Sequence, residues 1–334
     1  MNFQEKIVFT FKRAGVFIRA FFILKNFKAA YLLSMHPQHF NENIKNKIRW
    51  NKGRFLMMVE NIQLSVKNFH QLQGDFNLLF AVGKFGTINI QDGDLVIELP
   101  VENKSVFFFI YRHEVLDNIR EVIIDRIYAF EGLKEKQHVV MDVGMNVGVA
   151  SLYFASMDNV KKIFGYEPLK VNLDMAKRNF EKNPEISEKI VINNFGLDSA
   201  DAELELPFAH PGDMGFSTSG FMIEKTKSKK VIEGRIERIK IVNIGKEFSL
   251  IKNKFPGISI MLKLDCEGAE YTIIQYLSDN SLLETVSMIA IEWHYKGPEL
   301  LVDLLEKNNF KVIHMEDHSN NYTGMIKAER ISGN

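Results

Sequence analysis

From residue 138 onward, apolar runs with the length of strands alternate with amphipathic runs of helical spacing. Strands are predicted at 138–143, 162–167, 190–195, 258–265, 286–293, 310–315 and 322–328. Helices are predicted at 148–157, 170–182, 268–278 and 298–308. Because strands that are joined through helices run in the same direction, this order predicts a mostly parallel sheet with helices on both faces. The predicted fold class is therefore α/β.

The segments outside this alternation form further predicted parts. Residues 1–80 and 114–132 show helical spacing, and Asp92-Gly93 is a hairpin turn signal between short predicted strands. Within the α/β part, runs at 202–208 and 235–244 indicate an inserted β-element. We predict a helical region at 1–85, a small β-element at 86–112 and an α/β domain at 113–334 that contains an insert at 198–257.

Composition narrows the class of protein. Hydrophobic residues make up 46% and charged residues 25% of the 334 residues, which is typical of a globular chain. Because 42 basic residues balance 42 acidic ones, the chain lacks the electrostatic footprint of a nucleic-acid-binding protein. Its one cysteine, Cys266, excludes an internal disulfide and a multi-cysteine zinc site, and it fits a reducing cytoplasm. We predict neither a transmembrane helix nor a signal peptide.

The zero net charge conceals two basic segments. Residues 1–34 contain six Lys/Arg and one Glu, and residues 225–254 contain ten Lys/Arg and three Glu. A solvated insert is the first interpretation of 225–254, and packing in the core is the first interpretation of the apolar spacing in 1–34. The alternative for 225–254 is binding of an acidic acceptor, and the alternative for 1–34 is peripheral contact with an anionic membrane, at its inner face, which would suit an enzyme that modifies a lipid-linked glycan.

A glycine-containing turn follows the first strand of the α/β part, with the pattern Asp142-x-Gly144-x-Asn146-x-Gly148. Glycine lets the backbone approach a ligand closely, and parallel sheets bind ligands at this end of the strand. The pattern differs from the Gly-x-Gly-x-x-Gly of dinucleotide-binding proteins. A carboxylate at Asp142 repels a pyrophosphate and attracts a cation, so the turn favours S-adenosylmethionine, which has an ammonium and a sulfonium and no phosphate.

Glu167 ends the next predicted strand, about 20 residues after the turn, where an acidic side chain accepts the ribose hydroxyls of a nucleoside. A structural glycine turn followed by a surface glutamate is the alternative interpretation. The strand, turn and spacing together favour cofactor binding by Asp142, Gly144, Asn146, Gly148 and Glu167.

Two later strands end in ionisable residues. Asp265 follows 258–264, and Glu292 and His294 share a face at the end of the strand predicted at 286–293, because side chains alternate along a strand. Asp265 is predicted to face the cofactor, whereas Glu270 suits the first turn of a helix. Asp265, Glu292 and His294 also contain the ligand types of a divalent metal site, but their spacing is not diagnostic, and we predict activity without a metal.

The segments Met141–Gly148, Tyr166–Pro168, Leu262–Glu270 and Ile291–His294 resemble successive motifs of the FkbM family of S-adenosylmethionine-dependent methyltransferases. The most specific is Lys263-Leu264-Asp265-Cys266-Glu267-Gly268-Ala269-Glu270, which is similar to that family's Lys-Ile-Asp-x-Glu-Gly-x-Glu signature. The resemblance covers about residues 114–328. It implies a Rossmann-like class I methyltransferase sheet of seven mostly parallel strands, with the last strand antiparallel, and O-methylation of a hydroxyl.

The motifs predict binding of S-adenosylmethionine, and the resemblance implies transfer of its methyl group to a hydroxyl, on a saccharide or glycan. Histidine has the pKa range of a general base, so His294 is the predicted base, with Asp265 or Glu292 orienting it. A nicotinamide dehydrogenase and a non-catalytic glycan- or membrane-associated protein are the alternatives. The sequence lacks the Gly-x-Gly-x-x-Gly pattern that a nicotinamide dehydrogenase would have in this turn.

Overall fold

The computed structural model describes residues 3–38, 40, 48–51, 53–57, 63–73, 75–207, 236–318 and 322–331. The chain forms two compact units, Met1–Asp125 and Arg126–Asn334. The boundary lies beyond the predicted one at 112/113, because the helix His113–Ile119 packs against the helix Phe76–Gly83 of the first unit. Among the helices of the described ranges, none has the apolar stretch that spanning a bilayer requires.

The first unit contains helices and two small sheets. Its helices are α1 (Phe3–Leu24), α2 (Phe27–Met35), α3 (Val66–Gln71), α4 (Phe76–Gly83) and α5 (His113–Ile119), and a π-helical turn (Arg120–Ile124) follows. Its strands are β1 (Ile48–Asn51), β2 (Arg54–Met57), β3 (Gln63–Leu64), β4 (Thr87–Gln91), β5 (Asp94–Val101) and β6 (Lys104–Ile110). The predicted hairpin is confirmed, because Gln91 pairs with Asp94 across a turn in which Asp92 and Gly93 both have positive φ.

The prediction of a wholly helical segment over 1–80 is wrong for β1–β3, which form an antiparallel sheet. The physical reason is the burial of Phe55 on β2. Its ring is fully buried and stacks on Phe69 at 5.1 Å, with Phe76 at 5.4 Å. These partners are distant in sequence, so local helical spacing could not predict the strands.

The second unit is built on one large sheet. Its strands are β7 (His138–Val143), β8 (Val160–Tyr166), β9 (Ile190–Asn193), β13 (Ser259–Leu264), β14 (Val286–His294), β15 (Phe310–Asp317) and β16 (Thr323–Arg330). Within the described residues these seven strands have the order β15-β16-β14-β13-β7-β8-β9, and only β16 runs antiparallel to the others. The predicted seven-stranded, mostly parallel sheet is confirmed.

The helices of this unit connect and cover the sheet. They are α6 (Val149–Ala155), α7 (Lys170–Lys182), α8 (Pro184–Ser187), α9 (Ile244–Lys254), α10 (Glu270–Asp279) and α11 (Glu299–Lys307), with 3-10 turns at Gly132–Lys134 and Leu282–Thr285. Every residue of β7 is buried, as expected for a central strand with both faces covered. The carboxyl ends of the parallel strands β7, β8, β13 and β14 lie at one edge of this sheet.

The insert forms a small sheet of its own. Strand β12 (Ile236–Asn243) lies between β10 (Gly196–Asp198), which is parallel to it, and β11 (Ala202–Pro207), which is antiparallel. The predicted β-element at 202–208 and 235–244 is confirmed over these strands. The helix α9 was not predicted, and it begins directly after β12. The lysines and the arginine at 225–235 lie outside the described residues.

Candidate active site

The glycine-containing turn joins β7 to α6 at the carboxyl end of the sheet. Gly144 has φ of +78°, and a Cβ on it would overlap the carbonyl oxygen of Asp265. The backbone amides of Gly144 and Met145 donate to the Tyr166 carbonyl at 3.1 and 3.0 Å. Glycine at 144 is therefore required for the close approach of the β7 and β13 ends.

A cleft of about 580 Å³ opens beside this turn. Its lining residues are Val143, Gly144, Asn146, Tyr166, Glu167, Pro168, Leu169, Asn172, Gly196, Leu197, Asp265, Cys266 and Glu267. The described lining contains three carboxylates and no lysine or arginine. An arrangement of this kind suits a ligand with hydroxyl donors and positive charge, and it disfavours a phosphate.

Glu167 lies between β8 and α7 with both carboxylate oxygens held by amides. Its Oε2 accepts from the Asn146 amide at 2.9 Å, and its Oε1 accepts from the Leu169 amide at 2.9 Å. Burial raises the pKa of Glu167 to about 7, against the opposing effect of these hydrogen bonds. The predicted position of Glu167 at the ligand cleft is consistent with this geometry, and Asn146 holds it there.

Asp142 occupies a different place from the one we predicted. Its carboxylate is fully buried, accepts from the Ser151 hydroxyl at 2.6 Å and lies 3.1 Å from the Lys263 ammonium. It does not line the cleft, so its charge is neutralised inside the sheet rather than presented to a cationic ligand. Gly148 also lies away from the cleft lining, where a Cβ would meet the Phe180 ring.

Lys263 links the two central strands below the turn. Its ammonium donates to the Gly144 carbonyl at 2.7 Å and lies 3.3 Å from Asp265 Oδ2. Burial alone lowers the pKa of a lysine, but Asp142 and Asp265 outweigh it, and the pKa of Lys263 is raised. Lys263 therefore stays charged and holds Asp265 at the floor of the cleft. Asp265 lines the cleft, which is the position that the sequence predicted for it.

His294 is oriented by Glu270. Its Nδ1 lies 3.1 Å from Glu270 Oε1, and Glu270 is fully buried and also accepts from the amides of Cys266 and Gly268 at 2.8 Å. The prediction that Asp265 or Glu292 orients His294 is wrong. Glu292 has a carboxylate oxygen 3.9 Å from His318 Nδ1 and does not line the cleft.

The protonation of His294 bears on its predicted role as a base. Burial lowers the pKa of His294, but the hydrogen bond and charge of Glu270, with the charges of Glu267 and Asp265, raise it to about 10. His294 therefore carries a proton at neutral pH in this geometry.

Glu267 is the carboxylate between His294 and the cleft. Its Oε2 lies 3.9 Å from His294 Nε2 and accepts from the Tyr295 hydroxyl at 3.2 Å. Burial raises the pKa of Glu267, and the positive His294 opposes that increase. Glu267 and Tyr295 both have positive φ, at 58° and 72°, which is strained backbone for residues with a side chain and is concentrated at functional sites.

Sequence reasoning missed the roles of Lys263, Glu267 and Glu270. A lysine in an otherwise apolar buried strand is a signal that a carboxylate partner lies nearby. The pairing of Glu270 with His294 connects a helix to a strand end 24 residues away, and spacing carries no signal for it. Across the part of the chain that the structure describes, no three His, Cys, Asp or Glu side chains cluster as a metal site requires.

Comparison with known proteins adds independent information. The sequence model of the methyltransferase FkbM domain matches residues 142–322. Among curated proteins, methyltransferase sdnD from Sordaria araneosa is 26% identical over 235 residues, which cover 64% of this chain and 89% of that protein. Methyltransferase 1 from Beauveria bassiana is 27% identical over 169 residues, which cover 48% of this chain and 66% of that protein.

Solved structures show a more distant likeness. The crystal structure of methyltransferase FkbM from Methylobacillus flagellatus KT aligns with a TM-score of 0.37 and 11% identity, covering 80% of this chain and 62% of that one.

Proposed function

The chain belongs to the FkbM family of methyltransferases, and we propose that it transfers a methyl group from S-adenosylmethionine to a hydroxyl oxygen. We further propose that the acceptor is a saccharide or glycan, of an acidic or lipid-linked type, and that the reaction takes place in the cytoplasm. The single cysteine supports the cytoplasmic location.

The observation that carries the choice of methyl donor is the acidic lining of the cleft. Glu167 keeps carboxylate lone pairs available while two amides hold it, and it would accept the ribose hydroxyls of S-adenosylmethionine. Asp265 lines the same cleft on the β13 side and would accept the ammonium of the methionine portion. Gly144 brings the ends of β7 and β13 together and lines the cleft with these two carboxylates.

When bound, S-adenosylmethionine supplies a methyl group on a positively charged sulfur that is a good leaving group. The residues of the chain orient the acceptor against it, and such orientation is worth about 7–11 kcal/mol of the barrier. The acceptor hydroxyl must also lose a proton, and we propose that Glu267 accepts it. Glu267 faces the cleft and its pKa is raised, whereas His294 already holds a proton.

Calorimetric titration of the full chain with S-adenosylmethionine, and separately with NADH, tests the donor. We expect saturable binding of S-adenosylmethionine and none of NADH. Glu167→Ala should weaken S-adenosylmethionine binding by about 1.5–3 kcal/mol, the contribution of hydrogen bonds to a charged group. The exposed Glu203→Ala is the matched control. Equal affinity in the Glu167 variant and wild type would contradict the assignment.

A second experiment tests the acceptor. Glycans from the source organism and from a strain that lacks this protein are compared by mass spectrometry for a mass gain of one methylene. The purified protein with S-adenosylmethionine should restore that gain in glycans of the deficient strain, and should do so in excess chelator. Donor binding without any transfer would favour the non-catalytic alternative, and restoration only with magnesium or manganese would contradict the metal-independent prediction.

A further inference from the structure

The first two helices expose a set of large apolar side chains. We name Phe11, Ile18 and Phe22 on α1 and Phe27 and Tyr31 on α2 the outer stripe. Their exposed fractions are 75%, 54%, 74%, 68% and 55%, respectively. Among the described residues of the first unit, Phe85 is the one large hydrophobic side chain outside the stripe that is as exposed. Exposed apolar groups concentrated in one place indicate an interaction surface.

On α1 the stripe lies on the side of the helix opposite its buried residues. At 100° per residue, Phe11, Ile18 and Phe22 fall within about 40° of one another on α1, and the buried Val16 and Ala20 lie on the opposite side. The inner face is tied to α2 by the Arg13 Nε donor, 3.1 Å from the Ser34 carbonyl.

Phe27 continues the stripe from α1 to α2. The rings of Phe21 and Phe27 lie 4.6 Å apart between centroids, so the apolar surface is unbroken at the junction. Tyr31 follows Phe27 by one helical turn and is exposed as well. The exposed apolar side chains of α1 and α2 therefore form one continuous outer surface, in which Phe27 also packs against Phe21.

Positive charge surrounds the stripe. Lys12, Arg19, Lys25 and Lys28 are exposed, and the one acidic residue of the sequence from 1 to 38 is Glu5. Apolar and aromatic residues on one face, flanked by lysine and arginine, are the pattern of a helix that lies in the interface of an anionic bilayer. Long cationic side chains place their methylenes against apolar groups and their charges at headgroups.

The positive charge beside the outer stripe also indicates which partner the stripe binds. Two copies of this chain that met through the stripe would bring their cations together, and like charges across an interface disfavour association. An anionic lipid surface offers the opposite charge and an apolar layer together. We propose that the outer stripe binds the surface of a bilayer that contains anionic lipids, with α1 and α2 lying in the interface. The proposal does not depend on the methyl-transfer reaction.

Vesicle flotation of the full chain tests the proposal. We expect the protein to float with vesicles of phosphatidylcholine that contain about 30% phosphatidylglycerol, and much less with phosphatidylcholine alone. Raising the salt from about 0.1 M to about 1 M should weaken binding, because the screening length falls from about 10 Å to about 3 Å.

Substitutions distinguish the apolar contribution to vesicle binding from the electrostatic contribution. Phe11→Ser/Phe22→Ser should reduce partitioning about tenfold or more, because two exposed phenylalanines lose their burial in lipid. Lys25→Glu/Lys28→Glu should reduce it by at least about fivefold per lysine. The matched control is Phe85→Ser, which removes an exposed phenylalanine of the same unit outside the stripe and should float as wild type does.

Circular dichroism and thermal unfolding of each variant establish that it is folded. Unchanged flotation of a folded Phe11→Ser/Phe22→Ser variant would overturn the proposal. So would equal flotation of the wild type with neutral and anionic vesicles. Sedimentation of the wild type as a dimer that the same double substitution converts to a monomer, without an effect on flotation, would assign the stripe to contact between copies instead.

Discussion

At the scale of single residues, Glu167 and Glu267 have raised pKa values for the same reason. Glu167 is buried at the cleft and Glu267 is partly buried there, and burial disfavours the charged form of each carboxylate. They differ in their partners. Backbone amides hold Glu167, whereas Glu267 faces a tyrosine hydroxyl and a protonated histidine. This difference predicts separate roles, one in donor binding and one in proton transfer.

The affinity for S-adenosylmethionine should depend on pH through Glu167. In the proposed complex the ionised carboxylate would accept hydrogen bonds from both ribose hydroxyls, and the protonated form would accept fewer. Because the pKa of Glu167 is about 7, affinity should rise with pH up to about that value, by at most about tenfold per pH unit, and then level off. Titration calorimetry from about pH 5 to about pH 9 measures how the affinity for S-adenosylmethionine changes with pH.

Glu167→Gln is the control for that profile. The variant should bind S-adenosylmethionine more weakly and lack the rise in affinity near pH 7, and a profile identical to wild type would contradict the assignment.

The Glu167 carboxyl group affects the stability of the free protein in the opposite direction. Its pKa in the folded chain lies above its usual value of 4.5, so its contribution to stability is present below 4.5 and is lost as pH rises through about 7.

Proton transfer should separate Glu267 from His294. Glu267→Gln should lower kcat by about 10²–10⁴-fold, because it removes the group that accepts the hydroxyl proton. His294→Ala should instead move the acid limb of the kcat profile to higher pH, since the positive imidazolium holds the pKa of Glu267 down. Transfer of radiolabelled methyl groups to a glycan fraction, measured across pH, gives both results.

If His294 is itself the base, as the sequence predicted, the same measurement should give a different result. His294→Ala would then lower kcat by about 10²–10⁴-fold without a shift of the acid limb. Near-wild-type kcat in Glu267→Gln would contradict the assignment of Glu267. Affinity for S-adenosylmethionine, measured on each variant, establishes whether the cofactor pocket is preserved.

At the scale of elements, the ends of β7 and β13 are joined by buried charge. The Lys263 ammonium contacts Asp142 on β7, the Gly144 carbonyl in the turn and Asp265 at the end of its own strand. Removing one member of such a group leaves the other charges buried without compensation. The turn and the floor of the cleft therefore depend on one lysine in the centre of the sheet.

Lys263→Met should lower the free energy of unfolding by about 3–5 kcal/mol at neutral pH, because the Asp142 carboxylate loses its counter-ion. The double variant Asp142→Asn/Lys263→Met should be less destabilised than the single one, since the charge of the fully buried Asp142 is removed as well and only the partly exposed Asp265 loses its counter-ion. Urea denaturation measures both. Lys161→Met, at an exposed position on β8, is the matched control and should change stability by less than about 0.5 kcal/mol. A double variant as unstable as the single one would contradict the pairing.

At the scale of the whole molecule, the described residues that line the cleft all belong to the unit Arg126–Asn334. Saturation with S-adenosylmethionine at about 100 times its Kd should stabilise the folded state by about 2.7 kcal/mol. Hydrogen exchange measured by mass spectrometry should slow most in peptides of β7, β8 and β13 and the turns that follow them. Equal slowing in peptides of Met1–Asp125 would contradict a cleft confined to the second unit.

The amino-acid sequence by itself determined the strand and helix alternation after residue 138, because apolar periodicity and glycine turns are local properties. The same local signals placed Gly144, Asn146, Glu167 and Asp265 at the cleft, since the carboxyl ends of parallel strands meet at one edge of a sheet. They also predicted the hairpin at Asp92-Gly93.

Only the tertiary structure decided which charges meet. It buried Asp142 against Lys263, paired His294 with Glu270 rather than Glu292 and left Glu267 facing the cleft. It also formed β1–β3 around the buried Phe55, in a segment whose spacing predicted helix. Each outcome depends on contacts between residues far apart in sequence and on the free energy of burying charge or aromatic surface, and neither is encoded in the local pattern of the chain.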